Sequence, residues 1–75
     1  MTDQKYMHEG LEFARNKLIE ECGELIAALG KTGRWGWASF NPELTEGERE
    51  INRDWVMREM EDVRGAINNL ERQMP

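Results

Sequence analysis

Two stretches of this sequence repeat their apolar residues every three or four positions, and a glycine- and aromatic-rich stretch parts them. In the first, the stripe is Leu11, Ala14, Leu18, Cys22, Leu25 and Leu29, widened by Ile19 and Ile26. In the second it is Val56, Met60, Val63, Ile67, Leu70 and Met74. That period matches the turn of an α-helix and not the alternation of a half-buried strand. Thr2 or Asp3 is placed to cap the first helix, and Gly30, Lys31 and Gly33 form its expected stop. Thr45 with Glu48 matches a capping box for the second helix, and Asn52 is another candidate cap. The expected elements are a helix over about 3–29, an aromatic loop over about 30–44 and a helix over about 46–73. Together they make one all-α domain spanning 1–75.

Two long amphipathic helices joined by a loop form a hairpin. A hairpin buries one seam and leaves apolar surface open. A chain of 75 residues also buries too little surface to hold a comfortable core alone. Its single cysteine, Cys22, excludes an internal disulfide, and its place in the stripe predicts a buried, inert thiol. Metal binding, oligomerisation or both remain as sources of stability. Pairing two hairpins into a four-helix bundle is the simplest completion, so a homo-oligomer, dimer or tetramer, is expected. A net charge of −5 argues against a nucleic-acid polymer as partner. No apolar run approaches the ~20 residues of a membrane span, so no membrane partner is expected. The opening MTDQKYMHEG has no signal-peptide pattern, and the expected location is the cytoplasm.

The acids are the chemically suggestive feature. Glu21 and Glu24 are three apart and lie about 60° apart on one helix face; Glu59 and Asp62 do the same on the other helix. Antiparallel helices let the two pairs face each other. Four converging carboxylates repel and call for a cation, and hard oxygen donors favour Mg2+ or Mn2+. Spacing alone is weak, since chance supplies roughly three such pairs in a chain this acidic. Four occur: Glu9/Glu12, Glu21/Glu24, Glu43/Glu46 and Glu59/Asp62. Position separates two of them, because Glu21/Glu24 and Glu59/Asp62 lie mid-helix beside the apolar stripes. A di-iron carboxylate bundle needs Glu-x-x-His pairs, and the only histidine, His8, sits in none. One cysteine and one histidine do not make a zinc site.

These residues also carry a resemblance. Lys17-Leu18-Ile19-Glu20-Glu21-Cys22-Gly23-Glu24 resembles the K-L-x-E-E-x-x-E signature of the MazG-like, all-α nucleoside triphosphate pyrophosphohydrolases. Glu59-Met60-Glu61-Asp62-Val63 resembles the second motif of that family, E-x-x-D, and Asn69 matches an asparagine often found on the same helix. The segment GRWGWASFNPEL looks like the loop of short phage-encoded members, whose location would be the host cytoplasm. The resemblance runs from Lys17 to Arg72.

It implies that a nucleoside triphosphate is cut between its α and β phosphates, giving monophosphate and pyrophosphate. It implies Mg2+, with Mn2+ as a substitute, held by Glu21, Glu24, Glu59 and Asp62. Glu20 would be a further ligand, an outer group or a structural partner. Either Glu20 or Glu24 would act as the general base. Lys17 would contact phosphate or pair with Glu21 one turn on. Asn69 would bind base, sugar or phosphate, or bridge a dimer seam. Larger relatives use extra helices to complete the bundle, so a partner subunit would supply them here and place the active sites at or near the interface.

Half of the six aromatic residues sit in the expected loop: Trp35, Trp37 and Phe40. Trp35 beside Arg34 is the first choice for stacking on a nucleobase and pairing with phosphate. Trp37 and Phe40 are expected to cover the open end of the bundle, and Trp55 to serve packing. Two other functions fit the same pattern: a helical module that binds a nucleotide without hydrolysing it, and a purely structural dimeric hairpin.

Overall fold

The computed structural model describes residues 9–40, 47 and 50–75. Two helices build the described part, α1 over Glu9–Trp35 and α2 over Asn52–Gln73, with no strand among the described residues. They pack side by side as a hairpin. The course is antiparallel: the end of α1 lies beside the start of α2, where Asn52 reaches Gly36, and Glu21 meets Glu59 and Asp62 farther along. No described helix is long and apolar enough to cross a membrane. The radius of gyration is 16.0 Å, against about 11 Å for a compact chain of this length. Thr2, Asp3, His8, the Glu43/Glu46 pair and the Thr45–Glu48 box lie outside the described residues.

α1 runs past its expected stop, through Gly30 and Gly33, to Trp35. Two glycines weaken a helix by about 1 kcal/mol each, but the packed face that holds Ala28 before them continues to Trp35 beyond them, and tertiary contact outweighs propensity. The helix ends at Gly36, whose φ of 88° is open to glycine and strained for other residues. Gly36 N–H still donates to Thr32 O at 2.8 Å.

α2 begins at Asn52 and not near 46, because Ile51 is extended (φ −64°, ψ 138°). Ile51 makes no side-chain cap. The connecting backbone caps the helix instead: Asn52 N–H donates to Ser39 O at 2.7 Å and Arg53 N–H to Trp37 O at 3.0 Å. Those are orphan donors of a helix start. The Asn52 side chain, expected as a cap, is fully buried as the first helical residue and donates from Nδ2 to Gly36 O at 2.8 Å.

The seam is turned by one residue from the expected stripes. On α1 it is Leu11, Ala14, Leu18, Glu21, Leu25, Ala28 and Trp35; on α2 it is Asn52, Val56, Glu59, Val63, Ala66, Leu70 and Gln73. Both follow the alternating three-and-four spacing of paired helices. Ala14, Ala28, Ala66 and Val56 are the buried apolar residues, and small side chains let the helices approach closely. Cys22, expected in the seam, is exposed, as are Leu29, Met60, Ile67 and Met74. The apolar face of each helix is wider than one seam, and a two-helix hairpin covers one side of it.

Candidate metal centre

Glu21 and Glu59 occupy seam positions that a heptad pattern gives to apolar side chains. They are 7% and 4% exposed. One carboxylate oxygen from each lies within 4.8 Å of the other and of an Asp62 oxygen. Glu20, Glu21 and Glu24 form a second trio with the same spread. Glu21 belongs to both, so the antiparallel course gathers all five acids at mid-hairpin. Asp62 and Glu24 stand on one flank of the seam, about 70–80° from its centre on each helix.

The electrostatics match that crowding. The Glu21 carboxyl is pushed above the usual range, first by burial, then by Glu24, with a further push from Asp62 and opposition from Lys17. Lys17 is committed elsewhere: its Nζ donates to Glu20 Oε1 at 3.0 Å, three residues on, and not to Glu21. That hydrogen bond, together with the charge of Glu20, raises the Lys17 ammonium above its ordinary value.

Glu59 is held asymmetrically. Its Oε2 accepts from Trp55 Nε1 at 3.1 Å and lies 3.5 Å from Arg58 Nη1. Its Oε1 is buried with no hydrogen-bond partner among the described residues. Arg58 is anchored at its other nitrogen by Glu50, 2.7 Å away, and this contact raises the guanidinium further. A buried, unpartnered carboxylate oxygen beside two more carboxylates is costly unless a proton or cation completes it. The donors are all hard oxygens. A Mg2+ ion at about 2.1 Å from each ligand spans about 4.2 Å between opposite oxygens, and the three oxygens here all lie within 4.8 Å of one another. The donor set therefore fits a small divalent cation. Cys22 takes no part, since it faces the other flank.

The other expected site residues are dispersed. Trp35 lies under two cations, with Lys31 Nζ 5.0 Å and the Arg34 guanidinium 5.6 Å from its ring centroid. It is eleven residues beyond Glu24, about 16 Å along the axis toward the connecting segment. Asn69 lies seven residues beyond Asp62, about 10 Å in the opposite direction. Its Oδ1 accepts from Arg72 at 3.4 Å. Lys17 is also on the Asn69 side of the acids. Trp37 and Phe40 are exposed. A concavity of about 430 Å³ runs along α2 past Met57, Arg58, Met60, Glu61, Asp62 and Arg64, and meets the acids through Asp62.

Sequence reasoning missed Trp55 and Arg58. The signal available was spacing, since Trp55 precedes Glu59 by one helical turn. No family model, no curated protein and no solved structure matches the chain.

Proposed function

We propose that this chain is a Mg2+-dependent nucleoside triphosphate pyrophosphohydrolase of the kind its motifs resemble, with Mn2+ as an alternative ion. The observation that carries the reading is the buried Glu59 carboxylate, whose Oε1 has no hydrogen-bond partner among the described residues and which has an oxygen grouped with carboxylate oxygens of Glu21 and Asp62. Glu21, Glu24, Glu59 and Asp62 would hold the metal. Once bound, the ion would offset the acidic field and let the site accept a polyphosphate.

In the reaction, a water oxygen bonds to the α-phosphorus and the bond to the α–β bridging oxygen breaks. Pyrophosphate leaves. Glu20 or Glu24 takes the water proton; Glu24 belongs to the metal set, whereas Glu20 is held by Lys17. Lys17 lies close enough to exchange that ion pair for a phosphate. Trp35 with Arg34, and Asn69, stand at opposite ends of the acids, so the base is read at one end only. The exposed Ile19, Ile26 and Leu29 of α1 and Met57, Met60, Ile67 and Met74 of α2 support a homo-oligomer. At about 100° per residue on antiparallel helices, both stripes turn to the flank opposite Asp62. A second copy seated there, as dimer or within a tetramer, leaves the acids open to substrate.

The test is product analysis. The protein is incubated with canonical and modified nucleoside triphosphates, with and without Mg2+, beside Asp62→Asn. Monophosphate and pyrophosphate should form only with Mg2+ and wild-type protein. Unchanged nucleotide despite measurable binding would replace the hydrolase with a binding module, and retained activity in Asp62→Asn would remove that ligand.

A further inference from the structure

Trp55 sits one turn before Glu59 on α2, half-buried at the edge of the seam. Its indole N–H donates to Oε2 of Glu59 at 3.1 Å. Arg58 Nη1 approaches the same oxygen at 3.5 Å. The two oxygens of one carboxylate are thus unequal. Oε2 is occupied by the protein, and Oε1 is buried and unpartnered among the described residues. A free glutamate turns about its terminal bond with little preference. An indole N–H donates only, in the ring plane, so it selects one orientation of the group it binds.

We infer that Trp55 is a positioning residue for Glu59, fixing the carboxylate so that Oε1 is presented to a divalent cation shared with Glu21 and Asp62. The inference rests on the metal reading above and adds the group that orients the ligand. Outer groups of this type hold metal ligands in register and raise their affinity. Among the described residues no carboxylate accepts from Trp35 or Trp37, and Trp35 is bracketed by Lys31 and Arg34 at the far end of α1.

The experiment uses the full chain. Mn2+ affinity is measured by the paramagnetic resonance of the free ion for wild type, Trp55→Phe and Glu59→Gln. The phenylalanine keeps an aromatic ring and removes the donor. Indole N–H resonances of 15N-labelled wild type are followed through a Mg2+ titration, which needs no variant to fold. Trp55→Phe should bind Mn2+ on the order of ten-fold more weakly, with Glu59→Gln weaker still. The Trp55 resonance should move with Mg2+ while those of Trp35 and Trp37 stay. Equal Mn2+ affinity in a folded Trp55→Phe, or a Trp55 resonance that saturating Mg2+ leaves in place, overturns the positioning role and leaves the metal site standing. Wild type that binds no Mn2+ overturns both.

Discussion

Glu21 lies where the seam would otherwise take an apolar side chain, and its carboxyl is held above the ordinary range chiefly by burial. The sign of its pH effect follows. Below the usual glutamate value of about 4.3, folded and unfolded chains both hold the proton, and the residue adds no pH-dependent cost to the fold. As pH rises, the unfolded chain releases its proton first, so stability falls until the raised folded value is passed. Metal-free Glu21→Gln should therefore melt higher than wild type at pH 7, and the gap should close below pH ~4. Mg2+ should raise the wild-type midpoint and leave the variant's nearly unchanged, because a ligand stabilises only the state that binds it. Thermal melts at both pH values, with and without Mg2+, check this; a variant less stable than wild type at pH 7 would contradict it.

At the scale of the element, the connection between the helices carries its own caps. Loop carbonyls of Trp37 and Ser39 take the first donors of α2, while buried Asn52 ties the helix to Gly36 O. Asn52→Ala leaves that carbonyl without its donor and should destabilise by about 1 kcal/mol, the low end for a lost buried partner. The low end applies because Asn52 Oδ1 is itself buried without a partner among the described residues. Gly36→Ala should cost about 1–2 kcal/mol through its positive φ alone, since nothing lies within 4 Å of an added Cβ. Urea titration of both variants measures the two effects. The sequence made the helices legible through their spacing. It stopped α1 too early because glycine punctuation at Gly30 and Gly33 yielded to packing at Ala28 and Trp35, whereas the expected end of α2 near 73 agrees with Gln73. It also placed Cys22 and Met60 in a seam that Glu21 and Glu59 occupy. A hydropathy pattern ranks an acid below a cysteine or methionine, so it cannot foresee a charge placed inside. The acid pairs themselves were visible by spacing. The Trp55 tie was not, because one aromatic residue near a helix start reads as packing.

The whole molecule is a two-sided rod. One flank carries Glu24 and Asp62 beside the buried acids, and the other carries exposed isoleucine, leucine and methionine. A standard interface removes about 800 Å² from each partner. Seven large, partly exposed side chains, three from α1 and four from α2, along a hairpin about 40 Å long offer surface of that order. Ile26, 70% exposed, lies near the middle of this flank. Ile26→Glu should turn an oligomer into monomers in sedimentation velocity while leaving Mn2+ binding intact. A wild-type chain that sediments as a monomer at high concentration would remove the oligomer from the proposal.

The acids in the seam also set a direction for evolutionary drift. Leucine at positions 21 and 59 would complete both heptads, and replacing buried charge by packed apolar groups is often neutral or stabilising. Random substitution filtered by stability alone would therefore erase those two glutamates early and leave a tighter, inert zipper. On the proposed reading, their persistence in a lineage would record selection for chemistry acting against selection for fold.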